Sequence, residues 1–140
     1  MNPLLKLDNQ LCFPLYACAK EIVRRYTPLL EPFGMTYTQY IAMMVMWEYR
    51  EITVRDMGKL LYLDSGTLTP MLKKMERNGW LSRARSAEDE RVVVLTITEA
   101  GEALHDKLSE VPTKMSQCLT LENDEAMQLY TLLRKMIKTF

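Results

Sequence analysis

Between Asp64 and Ile97 the spacing of apolar residues changes once, from helical to alternating, and this change narrows the possible folds more than any other feature. Asp64 can cap a helix, because its carboxylate can accept hydrogen bonds from the free N–H groups of a first turn. Asn78-Gly79 can end it, because glycine adopts the left-handed conformation that closes a helix. Between them Leu68, Met71, Leu72 and Met75 recur at i, i+3, i+4 and i+7, so one stripe faces a core. The opposite stripe holds Gly66, Pro70, Lys73 and Arg77, flanked by Thr67, Thr69 and Lys74. It is small and hydroxylated at its start and basic at its end. Such a face can touch base edges with hydroxyls and phosphates with cations. Taken alone, it reads better as a solvated amphipathic helix.

The residues around this helix decide between the two. After Trp80, Leu81–Arg85 alternates, Ser86–Arg91 is polar, and Val92–Ile97 is rich in β-branched residues, which predicts a hairpin with a charged tip. Before it, Thr53 can cap a short helix over Val54–Leu61, and Tyr62-Leu63 forms the turn, a helix-turn-helix without a glycine in the turn. A helix-turn-helix followed directly by a hairpin is a winged helix. The expected fold class is therefore mainly α with a small β-hairpin wing. At the wing tip Arg91 can reach a minor groove, where negative potential is concentrated. It can equally pair with Glu88 or Asp89 and shape the loop, and both can hold together if Asp89 orders the tip. From Thr53 to Arg85, seven basic residues face three acidic ones, although the chain of 140 residues has no net charge.

The flanking segments are helical and apolar. Asp8 can cap a first helix carrying Leu11, Cys12, Leu15, Ala19, Ile22 and Tyr26, with a kink or unwound turn expected at Pro14 and an end between Tyr26 and Leu30. Thr36 can start a second helix to about Tyr49, with Tyr40, Met43, Met44 and Trp47 inward. Thr98 can cap a fifth, whose seam of Ala100, Leu104, Leu108, Val111, Met115 and Cys118 is interrupted at Pro112. Thr120 can cap the last, striped by Ala126, Leu129, Tyr130, Leu133, Ile137 and Phe140. A monomer of this size leaves little core for both ends, so a homodimer is expected, with residues 1–50 and 99–140 as dimerisation helices and 51–98 as the winged lobe. A two-fold dimer suits double-stranded DNA, whose half-sites repeat about every 34 Å.

No apolar run approaches the ~18 residues of a membrane span, and the first residues lack a signal-peptide core, so a cytoplasmic protein is expected. Cys12, Cys18 and Cys118 are an odd number in a reducing compartment, which does not favour structural disulfides. There is no CxxC pair, and His105 is the one histidine, so neither metal nor cofactor is expected. The dipole of a helix start favours a thiolate at Cys12, and the apolar neighbours Leu11, Phe13 and Leu15 oppose it. Tyr26 lies almost on the Cys12 face but ~21 Å along a straight helix, so a contact between them requires a second subunit.

The runs Leu7-Asp8-Asn9-Gln10-Leu11-Cys12-Phe13 and Leu61-Tyr62-Leu63-Asp64-Ser65-Gly66-Thr67-Leu68-Thr69-Pro70-Met71-Leu72-Lys73, with Tyr16 and Asp89-Glu90-Arg91, resemble the MarR family, and within it the OhrR branch of organic-hydroperoxide-sensing repressors. The resemblance covers nearly the whole chain. It implies a dimeric winged-helix repressor of palindromic operator DNA, released when a reactive cysteine is oxidised, and not an enzyme. Cys12 matches that cysteine. Tyr26 and Tyr37 match the tyrosines that bond its sulfur across the dimer, and Tyr16 matches a third nearby. Cys118 matches the resolving thiol of the two-cysteine kind. Ser65, Thr67 and Thr69 match the recognition-helix hydroxyls, with Lys73, Lys74 and Arg77 beside them, and Asp89 and Arg91 match the wing. Pro14 and Cys18 depart from the pattern. Two other functions remain open: a MarR-type regulator with a phenolic or lipophilic ligand in a Met- and Tyr-lined crevice, and a thiol peroxidase.

Overall fold

Four helices begin on side chains suited to that position, and these starts set the frame of the winged unit. The computed structural model describes residues 1–140. Helix α2 (Tyr37–Tyr49) opens on a capping box, with Thr36 Oγ1 accepting from the Gln39 N–H and Gln39 Oε1 accepting from the Thr36 N–H. Helix α3 (Val54–Leu61) opens on Thr53, α4 (Ser65–Arg77) on Asp64 and α5 (Glu99–Lys107) on Thr98. Helix α1 (Cys12–Leu30) does not start at Asp8. Asp8 lies in a separate 3-10 turn, Leu7–Asn9, and α1 starts after Leu11 without a capping side chain. Pro14 therefore falls in the first turn, where its missing N–H costs no hydrogen bond, and α1 runs on through Pro28 to Leu30.

Strands β1 (Glu51–Thr53), β2 (Leu81–Arg85) and β3 (Val93–Ile97) form one antiparallel sheet in the order β1-β3-β2. The expected hairpin is β2 and β3, with Leu81 opposite Ile97 and Arg85 opposite Val93. Ile52-Thr53, expected only as a short extended stretch, is a third strand with Ile52 opposite Leu95. Three residues are too few for an alternating pattern to declare a partner.

The helix-turn-helix lacks a turn glycine because Tyr62 takes the left-handed position itself, at φ 56°. The glycine that the motif needs lies earlier, at Gly58. A Cβ there would sit 2.8 Å from the Leu63 carbonyl oxygen, so the chain can fold back onto α3 only over a bare backbone. Leu68, Leu72 and Met75 of α4 are buried against this framework with Met57, Leu81 and Leu95, while Met71 is only half-buried. On α2, Tyr40, Met43 and Met46 are buried, Trp47 is half-buried, and Met44 is exposed rather than inward.

The chain divides into two compact units, residues 1–110 and 111–140, so α5 belongs with the winged unit. The seam, expected to be interrupted at Pro112, breaks earlier: α5 ends at Lys107, and Pro112 is accommodated in the first turn of α6 (Val111–Cys118). The last helix, α7 (Asn123–Ile137), is not capped by Thr120; it begins at Glu122, whose N–H donates to the Glu125 carboxylate at 3.0 Å. Of its predicted stripe Leu129, Tyr130 and Leu133 are exposed.

Two substitutions test this frame by urea unfolding. Asp64→Ala should cost about 1 kcal/mol, the usual worth of an N-cap. Gly58→Ala should destabilise, although alanine inside a helix normally gains ~0.5–1 kcal/mol over glycine; a gain would show that the approach to Leu63 has slack.

Candidate functional site

The outward side of α4 is built by subtraction. Once Leu68, Leu72 and Met75 are buried, Ser65, Thr67, Lys73, Lys74 and Arg77 are exposed and Thr69 is half-buried. Pro70 is exposed inside the helix, where it leaves the Gly66 carbonyl without its intrahelical partner. The hydroxyls occupy the first turns and the cations the last, which also suits the helix dipole.

The wing follows α4 in the chain and carries its own exposed cation. At its tip Asp89 Oδ1 accepts from the Arg91 backbone N–H at 3.0 Å and from Nε at 3.1 Å, and Oδ2 accepts from Nη2 at 3.1 Å. Asp89 thus orders the loop, and Arg91 remains 90% exposed while paired. The Arg91 side chain, and then its backbone N–H, hold the Asp89 carboxyl below its usual pKa. Two further bonds escaped the sequence reading. Arg85 Nη1 donates to the Glu90 carbonyl at 2.6 Å, closing the tip. Glu76 accepts from the Arg83 N–H at 3.0 Å and from its Nε at 3.3 Å, tying the end of α4 to β2. Arg83 counted toward the local basic excess, but this bond engages its charge. No local pattern marks a pair seven residues apart that joins a helix to a strand.

The thiol residues fall into separate places. Cys12 is the first residue of α1, exposed and free, and Cys18 and Cys118 are also exposed and free. Tyr16 stands one turn after Cys12, exposed, with the Lys20 ammonium 5.7 Å from its ring centre. Tyr26 and Tyr37 lie at the far end of α1, with ring centres 4.6 Å apart. They do not reach Cys12 of their own chain, since Tyr26 is fourteen residue steps further along the helix, ~21 Å. Tyr40, read from sequence only as core, joins them at 5.6 and 6.4 Å. Burial is the main cause that raises the pKa of all three phenols; neighbouring phenols add to it for Tyr26 and Tyr40, and Tyr40 is pushed up to about 12. No three or more His, Cys, Asp or Glu side chains are grouped so as to hold a metal ion, and no helix is long and apolar enough to cross a membrane.

Comparison with known proteins bears on both places. Residues 24–108 match the family model of the transcriptional regulator SarA/Rot. The organic hydroperoxide resistance transcriptional regulator of Bacillus subtilis is 44% identical over 135 residues, 96% of this chain and 92% of that one. Reduced AbfR bound to DNA, a protein of Staphylococcus epidermidis, superposes with a TM-score of 0.84 at 33% identity, covering 99% of this chain and 94% of that one. A mutant MarR from E. coli on operator DNA gives 0.83 at 28% identity over 90% and 92%. The chain belongs to the MarR family of winged-helix transcriptional regulators. The expected fold is therefore borne out, and the protein is a regulator rather than an enzyme, which sets the thiol-peroxidase reading aside.

The phenol cluster gives a pH prediction with a defined sign. The Tyr40 phenol has a raised pKa in the folded protein, so its contribution to stability is whole below about pH 10 and is lost as pH rises toward 12. Absorbance at 295 nm should show a tyrosine step near pH 12 that disappears in Tyr40→Phe, and the loss of urea stability above pH 10 should be smaller in that variant.

Proposed function

We propose that this protein is a dimeric repressor that binds palindromic operator DNA in its reduced state and releases it when an organic hydroperoxide oxidises Cys12. The observation that carries the DNA half is the set of exposed hydroxyls and cations on α4, to which the wing adds Arg91, held exposed at its tip by Asp89. Ser65, Thr67 and Thr69 read base edges, and Lys73, Lys74 and Arg77 meet phosphates. Arg91 enters the minor groove, where the guanidinium exchanges part of its bond to Asp89 for the potential of the groove.

The redox half is supported by the exposure of Cys12 at the start of α1 and by the match to a hydroperoxide regulator. The Cys12 thiolate attacks one peroxide oxygen. The O–O bond breaks, an S–O bond forms, and the alkoxide leaves as the alcohol after taking a proton, giving the sulfenic acid. Tyr26 and Tyr37 of the partner subunit donate hydrogen bonds to the reduced sulfur, a role suited to phenols whose raised pKa keeps them protonated. Cys118 of the partner subunit then attacks the sulfenic sulfur, and water leaves as the disulfide forms. To empty an operator that was nearly full, oxidation must disfavour the bound form by about 5 kcal/mol. A covalent tie between subunits that turns the two winged units out of register can supply this. The protein is expected to act in the cytoplasm, where the thiols stay reduced until the signal arrives.

The experiment is a mobility shift on a duplex selected by the wild-type protein, with and without cumene hydroperoxide. Release should occur in the wild type and fail in Cys12→Ser; release that persists in that variant removes Cys12 as the sensor. Release of Cys12→Ser by a phenolic compound without peroxide would favour a ligand-responsive regulator instead. Cys118→Ser should abolish a reducible intersubunit dimer after oxidation. Lys73→Ala should weaken binding to all sequences alike and flatten the salt dependence by about one phosphate contact.

A further inference from the structure

We infer that the C-terminal end of α2 is the joint that positions the recognition helix, with Trp47 and the Arg50–Glu102 pair holding α4 in place through α5, a role that rests on the DNA-binding reading above. Three independent features meet there. Trp47 Nε1 donates to the carbonyl of Gly101 at 2.9 Å, across 54 residues of sequence. Arg50, which caps α2, has φ 64° and ψ −38°, a backbone conformation that L residues rarely adopt. It is held on three sides: its N–H donates to Met46 O at 2.9 Å, its carbonyl accepts from the Ile97 N–H at 3.0 Å, and its guanidinium pairs with the Glu102 carboxylate. Gly101 is buried against Trp80, and a methyl group there would run into the Trp80 carbonyl oxygen.

The connection continues to α4. The same Trp80 carbonyl accepts from the Thr98 N–H at 3.2 Å, and Thr98 Oγ1 donates to the Gly79 carbonyl. The Trp80 N–H in turn donates to Met75 O at 3.1 Å, inside the last turn of the recognition helix. A tilt of α2 therefore moves Gly101, and Gly101 has no room to move without carrying Trp80 and the end of α4. At its other end α2 bears Tyr37 and Tyr40, and an edge-to-face contact of 6.3 Å joins Tyr40 to Trp47. Two tyrosines of the cluster and Trp47 of the joint thus share one helix of thirteen residues. Trp47, Arg50 and Glu102 lie outside the α4 and wing residues assigned to DNA, so they act by placement and not by contact.

The test uses a duplex that the wild-type protein selects from a random library, followed by fluorescence anisotropy over a salt series. Trp47→Phe keeps an aromatic side chain, although a smaller one, and removes the donor; it should weaken binding about fivefold, the scale of one hydrogen bond, with an unchanged salt slope because no phosphate contact is lost. Glu102→Arg adds positive charge, so long-range attraction alone would tighten binding, whereas a broken joint weakens it. Arg50→Glu should weaken it too, and Arg50→Glu with Glu102→Arg, which restores both the pair and the net charge, should recover most of the wild-type affinity. The pair is largely exposed, so these variants should fold, and urea unfolding followed through Trp80 checks this. Folded variants that bind like wild type, or a Glu102→Arg protein that binds more tightly, overturn the joint. If the wild type selects no duplex, the DNA reading fails and the joint fails with it.

Discussion

Everything in the winged unit depends on α4 burying the centre of one face. Leu68, Leu72 and Met75 are each at most 1% exposed, and helical geometry then leaves the remaining positions no choice of direction. Burying three large side chains is worth several kcal/mol, at ~1.5–3 kcal/mol each. No exposed ion pair competes with that. The hydroxyls and cations on the other side are therefore presented by the core rather than by their own interactions. This separation lets the outward residues be chosen for a ligand while the inward ones hold the fold.

The same logic explains what could be read from the chain. Caps and periodicity are local, so α2, α3, α4 and both strands of the wing could be placed to within a residue or two. Asp8 and Thr120 misled because a capping residue type is only a capacity: Asp8 is taken up in a 3-10 turn, and Glu122 takes the cap position of α7. The tip bond between Asp89 and Arg91 was open to inference because it spans two residues. The Glu76–Arg83 bond and the bond from Trp47 to Gly101 were not, because each depends on where separate elements meet. Gly58 is intermediate: its spacing carried no message until the Leu63 carbonyl was seen above it.

Charge shows a similar limit. A chain with eighteen basic and eighteen acidic residues gives no global reason to approach a polyanion. The local surplus around α4 does, but its useful part is smaller than a count implies, since Glu76 engages Arg83. Lys73, Lys74 and Arg77 remain exposed at the end of the helix, and Arg91 is held at the wing tip in a bond that water already competes for. A weak exposed bond of this kind can be exchanged at little cost when a phosphate-rich groove replaces water.

If the Cys12 sulfur is to meet Tyr26 and Tyr37 as proposed, the length of α1 requires a second copy. Cys12 and Tyr16 stand at one end of α1, and Tyr26, packed on Tyr37 and Tyr40, stands near the other. Nothing within a straight helix can bring those ends together. An antiparallel pairing of two α1 helices would set each cysteine beside the other chain's tyrosines. The uncovered apolar residues point the same way: Leu4 and Leu5 before α1 are each 76% exposed, and Leu132 on α7 is 60% exposed. Apolar surface of this extent on a monomer calls for a partner. If that partner is the same chain, the surface that stabilises the dimer and the site that senses peroxide are the same surface. Oxidation of one sulfur would then act on the packing that sets the separation of the two recognition helices.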